Sequence, residues 1–532
     1  MHHRILTLAL SSAALLLACK PTPRTAIDPP KNQDTEQPGD NAAPATPQEP
    51  PPATEPEAPL PAAVGMLEIS VTQQDFNRVR PWEKLNTNNA RCMGIYLGNG
   101  RVLTLGRAAR AATYVELSLP DHSRTAPARV VKYDPELNLS LLTVEHAEDA
   151  GIFDGMPELP VGEPMALGDS GELCALVRQI EPVHIAVDAE SADDDDDGLP
   201  MLSLRAAKPL PQGTTGGLPI LRDGKLAAIV AEYSPRDLSL SCINAEFISR
   251  FLNESSGAGD SVPVLGLSFA QLDDPVFNKY LKLDARQGGL YVSKVLPGGA
   301  AQDAGIRAGD VLLSIDDLPL DKLGRCHHPL YGLLSAPHII RSLKPVGQQL
   351  TLCISRDGET MELTVPLNRD AVTKSLINQE KPGTPPRYIM WGGLLFQPLT
   401  ETYLTALQNT ANSLPLPFLR VKNRLAELRA EGLQEIVALT LVVPTPATLG
   451  YDTLGFCIVE QVNGHKVTSF AQFAELLDTP TQDGVTELTI NRAPYHIYLD
   501  RRSVESSNDT LRRRAIPRLR QMGETTAAPA AE

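Results

Sequence analysis

From Leu67 to about Glu254 the chain is written as short runs of alternating apolar residues separated by turn residues. That rhythm commits the stretch to an all-β barrel architecture. Gly94 to Thr104 is a hairpin with Asn99-Gly100 at its turn. Leu218-Pro219-Ile220-Leu221 and Asp223 to Val230 read as two strands joined by a turn, and the glycine-rich run Gly213-Thr214-Thr215-Gly216-Gly217 leads into them. A hydrophobic content of 42% over 532 residues supports about three domains with real cores. The formal net charge of -16 repels a phosphate backbone, which excludes nucleic acid as a main partner.

The N-terminus reads as an address. His2-His3-Arg4 precedes an apolar run, Ile5 to Leu17, too short to span a bilayer but suited to a signal-peptide core. It ends in Leu16-Leu17-Ala18-Cys19, which resembles the lipobox of bacterial lipoproteins. The resemblance implies a signal peptide over 1–18, lipidation of Cys19, and a place in the bacterial cell envelope, at the outer membrane facing the periplasm. An ordinary secretory signal with a coincidental cysteine is the alternative. Residues 19–65 are dense in Pro, Ala, Glu and Thr, a composition that cannot bury a core. Extended, they form a tether reaching on the order of 100 Å. Asp193 to Asp197 repel one another and read as a solvated loop. The remaining cysteines, Cys92, Cys174, Cys242, Cys326, Cys353 and Cys457, lack metal-ligand spacing and read as small core residues. Neither a metal nor a cofactor is expected. Cys326-His327-His328 reads as a loop turn.

Gly288 to Ala301, followed by Ala304-Gly305-Ile306-Arg307-Ala308-Gly309-Asp310-Val311-Leu312-Leu313-Ser314-Ile315-Asp316, resembles a PDZ domain, spanning 262–369. A second, divergent copy is expected over 385–522, because Gly393 to Glu401 matches Gly266 to Asp274 in type and spacing. Phe456 to Val467 likewise parallels Asp310 to Leu320. Leu425 to Leu433 reads as an amphipathic helical insertion, Leu511 to Arg520 as a basic helix, and 523–532 as a disordered tail. With the barrel region, 66–256, the order resembles the Deg/HtrA family, and the C-terminal part resembles plant-type Deg proteases. The resemblance implies a mainly β chain: a trypsin-like double β-barrel followed by two PDZ-type α+β domains.

That family's protease domain carries a G-N-S-G-G-P-L nucleophile loop, which here becomes Gly213 to Leu218 with Thr215 at the serine position. Its histidine follows a strand as L-T-N-x-H-V; the corresponding Leu103-Thr104-Leu105-Gly106-Arg107-Ala108 places Arg107 there. Its aspartate lies in D-P-x-x-D-L-A-x-L; Asp134-Pro135-Glu136-Leu137-Asn138-Leu139 places Asn138 there. An arginine stays protonated and cannot act as general base. An asparagine cannot stabilise an imidazolium, and a threonine hydroxyl needs an adjacent base. The backbone of Gly213 and Thr215 retains a vestigial oxyanion hole, which alone leaves roughly 10³–10⁴-fold catalysis over water. Two rescues are open: Ser170 in Gly168-Asp169-Ser170-Gly171 as nucleophile, or an imported base from His122, His146 or His184.

A PDZ groove captures an extended peptide as an added strand, its carboxylate held by backbone N–H groups. The resemblance assigns this role to Leu265, Gly266, Leu267, Ser268 and Phe269, with Leu267 and Phe269 lining an apolar pocket and His338 to Leu343 on the facing helix. The expectation is a membrane-tethered pseudoprotease that binds peptide C-termini or unfolded exported proteins as adaptor, scaffold or chaperone. A homo-oligomer is compatible with it. The alternative is a serine-type endopeptidase of periplasmic quality control with a rearranged site. Docking of the first PDZ domain onto the barrel, with no ligand, is a further alternative.

Overall fold

The computed structural model describes residues 64–177, 181–194, 199–213, 215–253, 262–283, 288–411, 413–514 and 516–523. The expectations for the signal peptide, Cys19, nearly all of the tether, most of the aspartate run and the tail lie outside these residues.

The chain is mainly β. Six strands close the first barrel: β1 (Met66–Gln73), β2 (Asn88–Gly98), β3 (Arg101–Leu105), β4 (Ala112–Ser118), β5 (Thr125–Asp134) and β6 (Leu139–Val144), in the order β1-β2-β3-β6-β5-β4. A single helical turn, α1 (Gly106–Ala109), leaves the end of β3. The β2–β3 turn needs positive φ at consecutive residues, met by Gly98, Asn99 and Gly100. Leu67, Ile69, Val102, Leu117 and Leu142 fill its interior from alternate positions.

The second barrel is built from β7 (Ser170–Val177), β8 (Glu181–Asp194), β9 (Pro200–Ala206), β10 (Pro219–Arg222), β11 (Lys225–Ser234) and β12 (Ser239–Asn244), ordered β10-β11-β12-β9-β8-β7. Asp223-Gly224 turns β10 into β11 with both φ values positive. Helix α2 (Ala245–Leu252) is capped by Asn244, whose buried side chain also bonds both backbone groups of Met165.

The first PDZ domain holds β13 (Leu267–Ala270), α3 (Pro275–Tyr280), β14 (Leu290–Val295), α4 (Ala300–Asp303), β15 (Val311–Ile315), β16 (Leu318–Pro319), β17 (Arg325–His328), β18 (Gly332–Ser335), α5 (Ala336–Ser342), β19 (Gln349–Arg356) and β20 (Glu359–Pro366). Its sheet runs β13-β14-β15-β19-β20, which leaves β13 at an edge. Cys326-His327-His328 lies in β17 of a two-stranded hairpin rather than in a turn. Alternation along β17 sends Cys326 and His328 inward and His327 outward, so the three do not converge as ligands.

A short helix, α6 (Asp370–Thr373), leads to the second PDZ domain: β21 (Tyr388–Trp391), β22 (Leu394–Pro398), α7 (Glu401–Ala411), α8 (Leu416–Asn423), α9 (Leu425–Ala430), β23 (Val437–Val442), β24 (Cys457–Val462), β25 (His465–Lys466), α10 (Phe470–Asp478), β26 (Val485–Ile490), β27 (His496–Asp500), α11 (Arg501–Arg514) and β28 (Arg520–Gln521). The helical insertion is larger than Leu425–Leu433, comprising α7, α8 and α9 around Tyr403 and Phe418. The basic helix starts ten residues earlier than expected and stops before Ile516-Pro517, since proline cannot continue it. All six cysteines from Cys92 onward are free, five of them buried and Cys353 partly so.

Candidate functional site

Arg107, Asn138 and Thr215 come from three separate elements that meet at one junction. Asp134 Oδ1 accepts from the N–H groups of Glu136 and Leu137, which tightens the β5–β6 turn. That turn holds Asn138 at φ 51°, a left-handed conformation asparagine tolerates. From there Asn138 Oδ1 accepts from the Arg107 N–H at 2.9 Å, and its carbonyl accepts from the Gly106 N–H at 2.6 Å. A Cβ on Gly106 would lie 2.7 Å from the Asn138 carbonyl carbon, so only glycine fits beside this turn.

The Arg107 side chain, half exposed, points across to the second barrel. Its Nη2 donates to the Ala231 carbonyl on β11 at 2.9 Å, and Nη1 lies 3.8 Å from Glu232 Oε1. A Cβ built on Gly216 would stand 2.5 Å from that Nη2, so the guanidinium fills the space beside the residue next to Thr215. The loop is anchored on both sides: the Gly216 carbonyl accepts from the Met93 N–H, and the Gly217 N–H donates to the Val230 carbonyl. Gly217 has φ 94°, and a Cβ there would sit 2.2 Å from the Met93 carbonyl.

Thr215 is half-buried beside a shallow cavity of about 40 Å³, which it lines with Glu68, Arg91, Met93, Gln212 and Gly213 among others. Among the described residues its hydroxyl makes no hydrogen bond, to an imidazole or to any other group. The Gly213 and Thr215 N–H groups likewise make no backbone hydrogen bond among the described residues. His122 pairs with Glu68 at 3.8 Å, and His184 Nδ1 lies 3.1 Å from Glu172. Ser170 donates to Asp188 Oδ1 at 2.6 Å across the β7–β8 ladder. Among the described residues this serine has a carboxylate partner and makes no hydrogen bond to a ring nitrogen.

The groove of the first PDZ domain is organised differently. The Leu265 carbonyl accepts from the Ala301 N–H and the Gly266 carbonyl from the Leu296 N–H. A trans peptide sets its N–H opposite its C=O. The N–H groups of Gly266 and Leu267 therefore point away from α4 and β14, toward the open edge. Gly266 has φ 78°, which re-aims the chain at this point. Leu267 and Phe269 are half-buried against the core, while Ser268 is exposed with its carbonyl accepting from Ser293 Oγ. In the second PDZ domain the matching strand β22 pairs with β23 on one side and β21 on the other, with β28 beyond. That edge is occupied by the chain itself.

The first PDZ domain is fastened to both barrels. Glu136, in the turn that carries Asn138, receives Arg369 at 2.6 and 3.0 Å and Arg341 of α5 at 3.2 Å. The β17–β18 hairpin inserts Tyr331, whose hydroxyl donates to Glu246 Oε1 at 2.6 Å and accepts from Asn244 Nδ2 at 3.2 Å. Burial raises the Glu246 carboxyl above its ordinary range, against the opposing effects of Tyr331 and Arg250. Burial also lowers His328 to about 4, and its Nδ1 accepts from the Leu330 N–H. The Cys326 thiol is pushed up to about 11 by burial, with Asp321 adding to the shift, which leaves it an inert thiol.

Two family models match this chain, both described as PDZ domain, over residues 263–367 and 377–521. The chain is 21% identical over 427 residues to putative protease Do-like 11, mitochondrial, of Arabidopsis thaliana, covering 78% of this chain and 67% of that protein. It is 24% identical over 413 residues to protease Do-like 2, chloroplastic, of the same plant, covering 75% and 65%. To the periplasmic serine endoprotease DegP of Escherichia coli K12 it is 25% identical over 289 residues, covering 51% and 55%. The chain thus spans about two thirds of the plant relatives and about half of the bacterial one. Among solved structures it resembles HtrA-type protease AlgW with decapeptide, at 18% identity and a TM-score of 0.40, over 58% of this chain and 96% of that one. The two closed barrels followed by PDZ domains define a trypsin-like protease and PDZ architecture. The chain carries two PDZ domains and is similar to proteases of the Deg/HtrA type over about three quarters of its length for the plant relatives and about half for the bacterial one.

Proposed function

We propose that the chain is a pseudoprotease of the Deg/HtrA type, tethered to the bacterial outer membrane through lipidated Cys19 and facing the periplasm. It binds the C-termini of peptides or unfolded exported proteins in the first PDZ groove and acts as adaptor, scaffold or chaperone. The observation that carries this reading is Arg107. Its guanidinium, bonded to Ala231, stands beside Gly216, and a guanidinium has donors but no acceptor with which to take a proton from a nucleophile. Asn138 Oδ1 is engaged by the backbone N–H of Arg107 in α1, and its side chain carries no charge to orient an imidazole.

Peptide binding is supported by the outward N–H groups of Gly266 and Leu267, the open edge of β13, and the apolar lining from Leu267 and Phe269. The test is binding of peptides with free and amidated C-termini, followed by fluorescence anisotropy. Free-carboxylate peptides with apolar final residues bind, amidated ones bind at least about tenfold more weakly, and Leu267→Lys abolishes both. Equal binding of acid and amide would sink the groove reading. The serine-type endopeptidase alternative draws on the proteolytic names of the relatives. It requires a base that Thr215 and Ser170 lack among the described residues.

A further inference from the structure

We propose that the seam between the two barrels is a recognition site for a lysine side chain, with Glu68 as the acid that receives its ammonium group. The site lies apart from the groove of the first PDZ domain and does not depend on that groove binding peptides.

Glu68 stands on β1 between Leu67 and Ile69, which fill the first barrel, so alternation sends its own side chain outward. On that outer face it is covered rather than solvated, and the residue is only 6% exposed. A carboxylate taken out of water needs hydrogen bonds or a close opposite charge. Among the described residues its side chain takes no hydrogen bond. Arg91 Nη1 lies 3.6 Å away and His122 Nε2 3.8 Å away, both beyond hydrogen-bond range. Those two side chains are 68% and 57% exposed, so packing does not hold either of them against the acid.

The Glu68 side chain instead lines the cavity beside Thr215. Met93 and Leu218, both buried, and Leu176, partly so, give this cavity apolar walls, and exposed Gln212 borders it. Its volume of about 40 Å³ has room for a water or an ammonium group, each needing about 10–15 Å³. A benzene ring takes a cavity nearer to about 150 Å³. Apolar walls around one acid match the lysine side chain, whose methylene stem lies along Met93, Leu176 and Leu218 while its ammonium meets Glu68. The planar guanidinium of arginine is broader and fits the space less well. The incoming ammonium takes over the loose contact now made by Arg91.

The same cavity is lined by Gly213 and Thr215, whose N–H groups make no backbone hydrogen bond among the described residues. An extended segment carrying the lysine therefore has donors for a backbone carbonyl next to the acid for its side chain. The acid comes from the first barrel and the donors from the second, so only the assembled seam presents both.

The experiment uses the purified chain and hexapeptides that are N-acetylated and C-amidated, with a central lysine, acetyl-lysine, norleucine or arginine between alanine and valine residues. A further peptide carries norleucine at the centre and a free α-amine. Binding is followed by isothermal titration calorimetry. The lysine peptide is expected to bind, the acetyl-lysine and norleucine peptides about tenfold or more weakly, and the arginine peptide between them. The free α-amine confers no gain over the blocked norleucine peptide. Glu68→Gln removes the preference for lysine over norleucine, whereas Arg91→Gln, which removes the competing cation, keeps it. Gln212→Lys, at an exposed position that leaves the fold intact, sets a tethered ammonium beside the acid and weakens the lysine peptide about tenfold. Equal affinity for lysine and norleucine, or no binding of any peptide, overturns the proposal. A lysine preference that survives both Glu68→Gln and Gln212→Lys places the binding elsewhere and overturns it too. Tighter binding of the free α-amine peptide than of the lysine peptide overturns the lysine assignment. The amidated ends keep these peptides out of the PDZ groove, so none of the outcomes bears on that reading.

Discussion

Glu136 is the most exposed test of how the domains are joined. Its carboxylate accepts three charge-assisted hydrogen bonds, two from Arg369 and one from Arg341, and its side chain is only 22% exposed. Each such bond contributes about 1.5–3 kcal/mol net, and removing one partner of a buried pair costs about 3–5 kcal/mol. Partial exposure of the three side chains lowers the figure, so Glu136→Gln destabilises this contact by about 2–3 kcal/mol. For a unit of 150–250 residues, each kcal/mol moves the midpoint by about 2–4 °C. Scanning calorimetry is therefore expected to show the first unfolding transition of Glu136→Gln about 4–12 °C below that of the parent protein. Glu163→Gln, at an exposed site with no ion pair among the described residues, is the control and shifts it by less than about 1 °C. Equal midpoints for the two variants would refute the clamp.

Acid stability follows from His328. The folded state lowers this imidazole to about 4, whereas the unfolded chain titrates near 6.5. The stabilisation is fully present above about pH 6.5 and is lost as pH falls toward 4, up to about 3 kcal/mol. His328→Gln flattens that part of a urea-midpoint profile, and an unchanged slope would count against the assignment. The packing of Arg107 is tested by Gly216→Ala. Its new Cβ meets Arg107 Nη2 at 2.5 Å, Leu105 Cδ1 at 2.8 Å and the Ala231 carbonyl at 2.9 Å, so a loss of about 1–3 kcal/mol is expected. Arg107→Ala in the same chain recovers part of the loss in a double-mutant cycle of thermal midpoints; strict additivity would show that the guanidinium lies elsewhere.

Local signals carried the barrels and the first PDZ domain into view. Asn99-Gly100 and Asp223-Gly224 turn where their φ preferences allow, and alternating apolar positions mark the faces of the strands they join. Long-range contacts did not show in the same way. Nothing local in Leu105-Gly106 reveals that its glycine is required by the Asn138 backbone, 32 residues away. The edge of β22 is covered by β21, and β21 is in turn paired by β28, which returns from more than 120 residues downstream. The first ten residues of α11 carry little signal because the inward stripe of Val504, Ser507 and Leu511 is interrupted by a buried serine, so apolar periodicity is weak there. The β17–β18 hairpin was read as a turn because Cys326-His327-His328 lacks strand-forming residues; its place is set by Tyr331 docking on α2 and Asn244.

The account turns on whether the junction of Arg107, Asn138 and Thr215 can form an acyl-enzyme. The most direct measurement is to incubate the purified chain with a fluorophosphonate probe and with casein, and to map any labelled residue by mass spectrometry. The predicted result is no labelled serine or threonine and no casein cleavage above a heat-denatured control, at any pH from 5 to about 9, where arginine remains protonated. Stoichiometric labelling of Thr215 or Ser170, with cleavage abolished by replacing that residue with alanine, would contradict it.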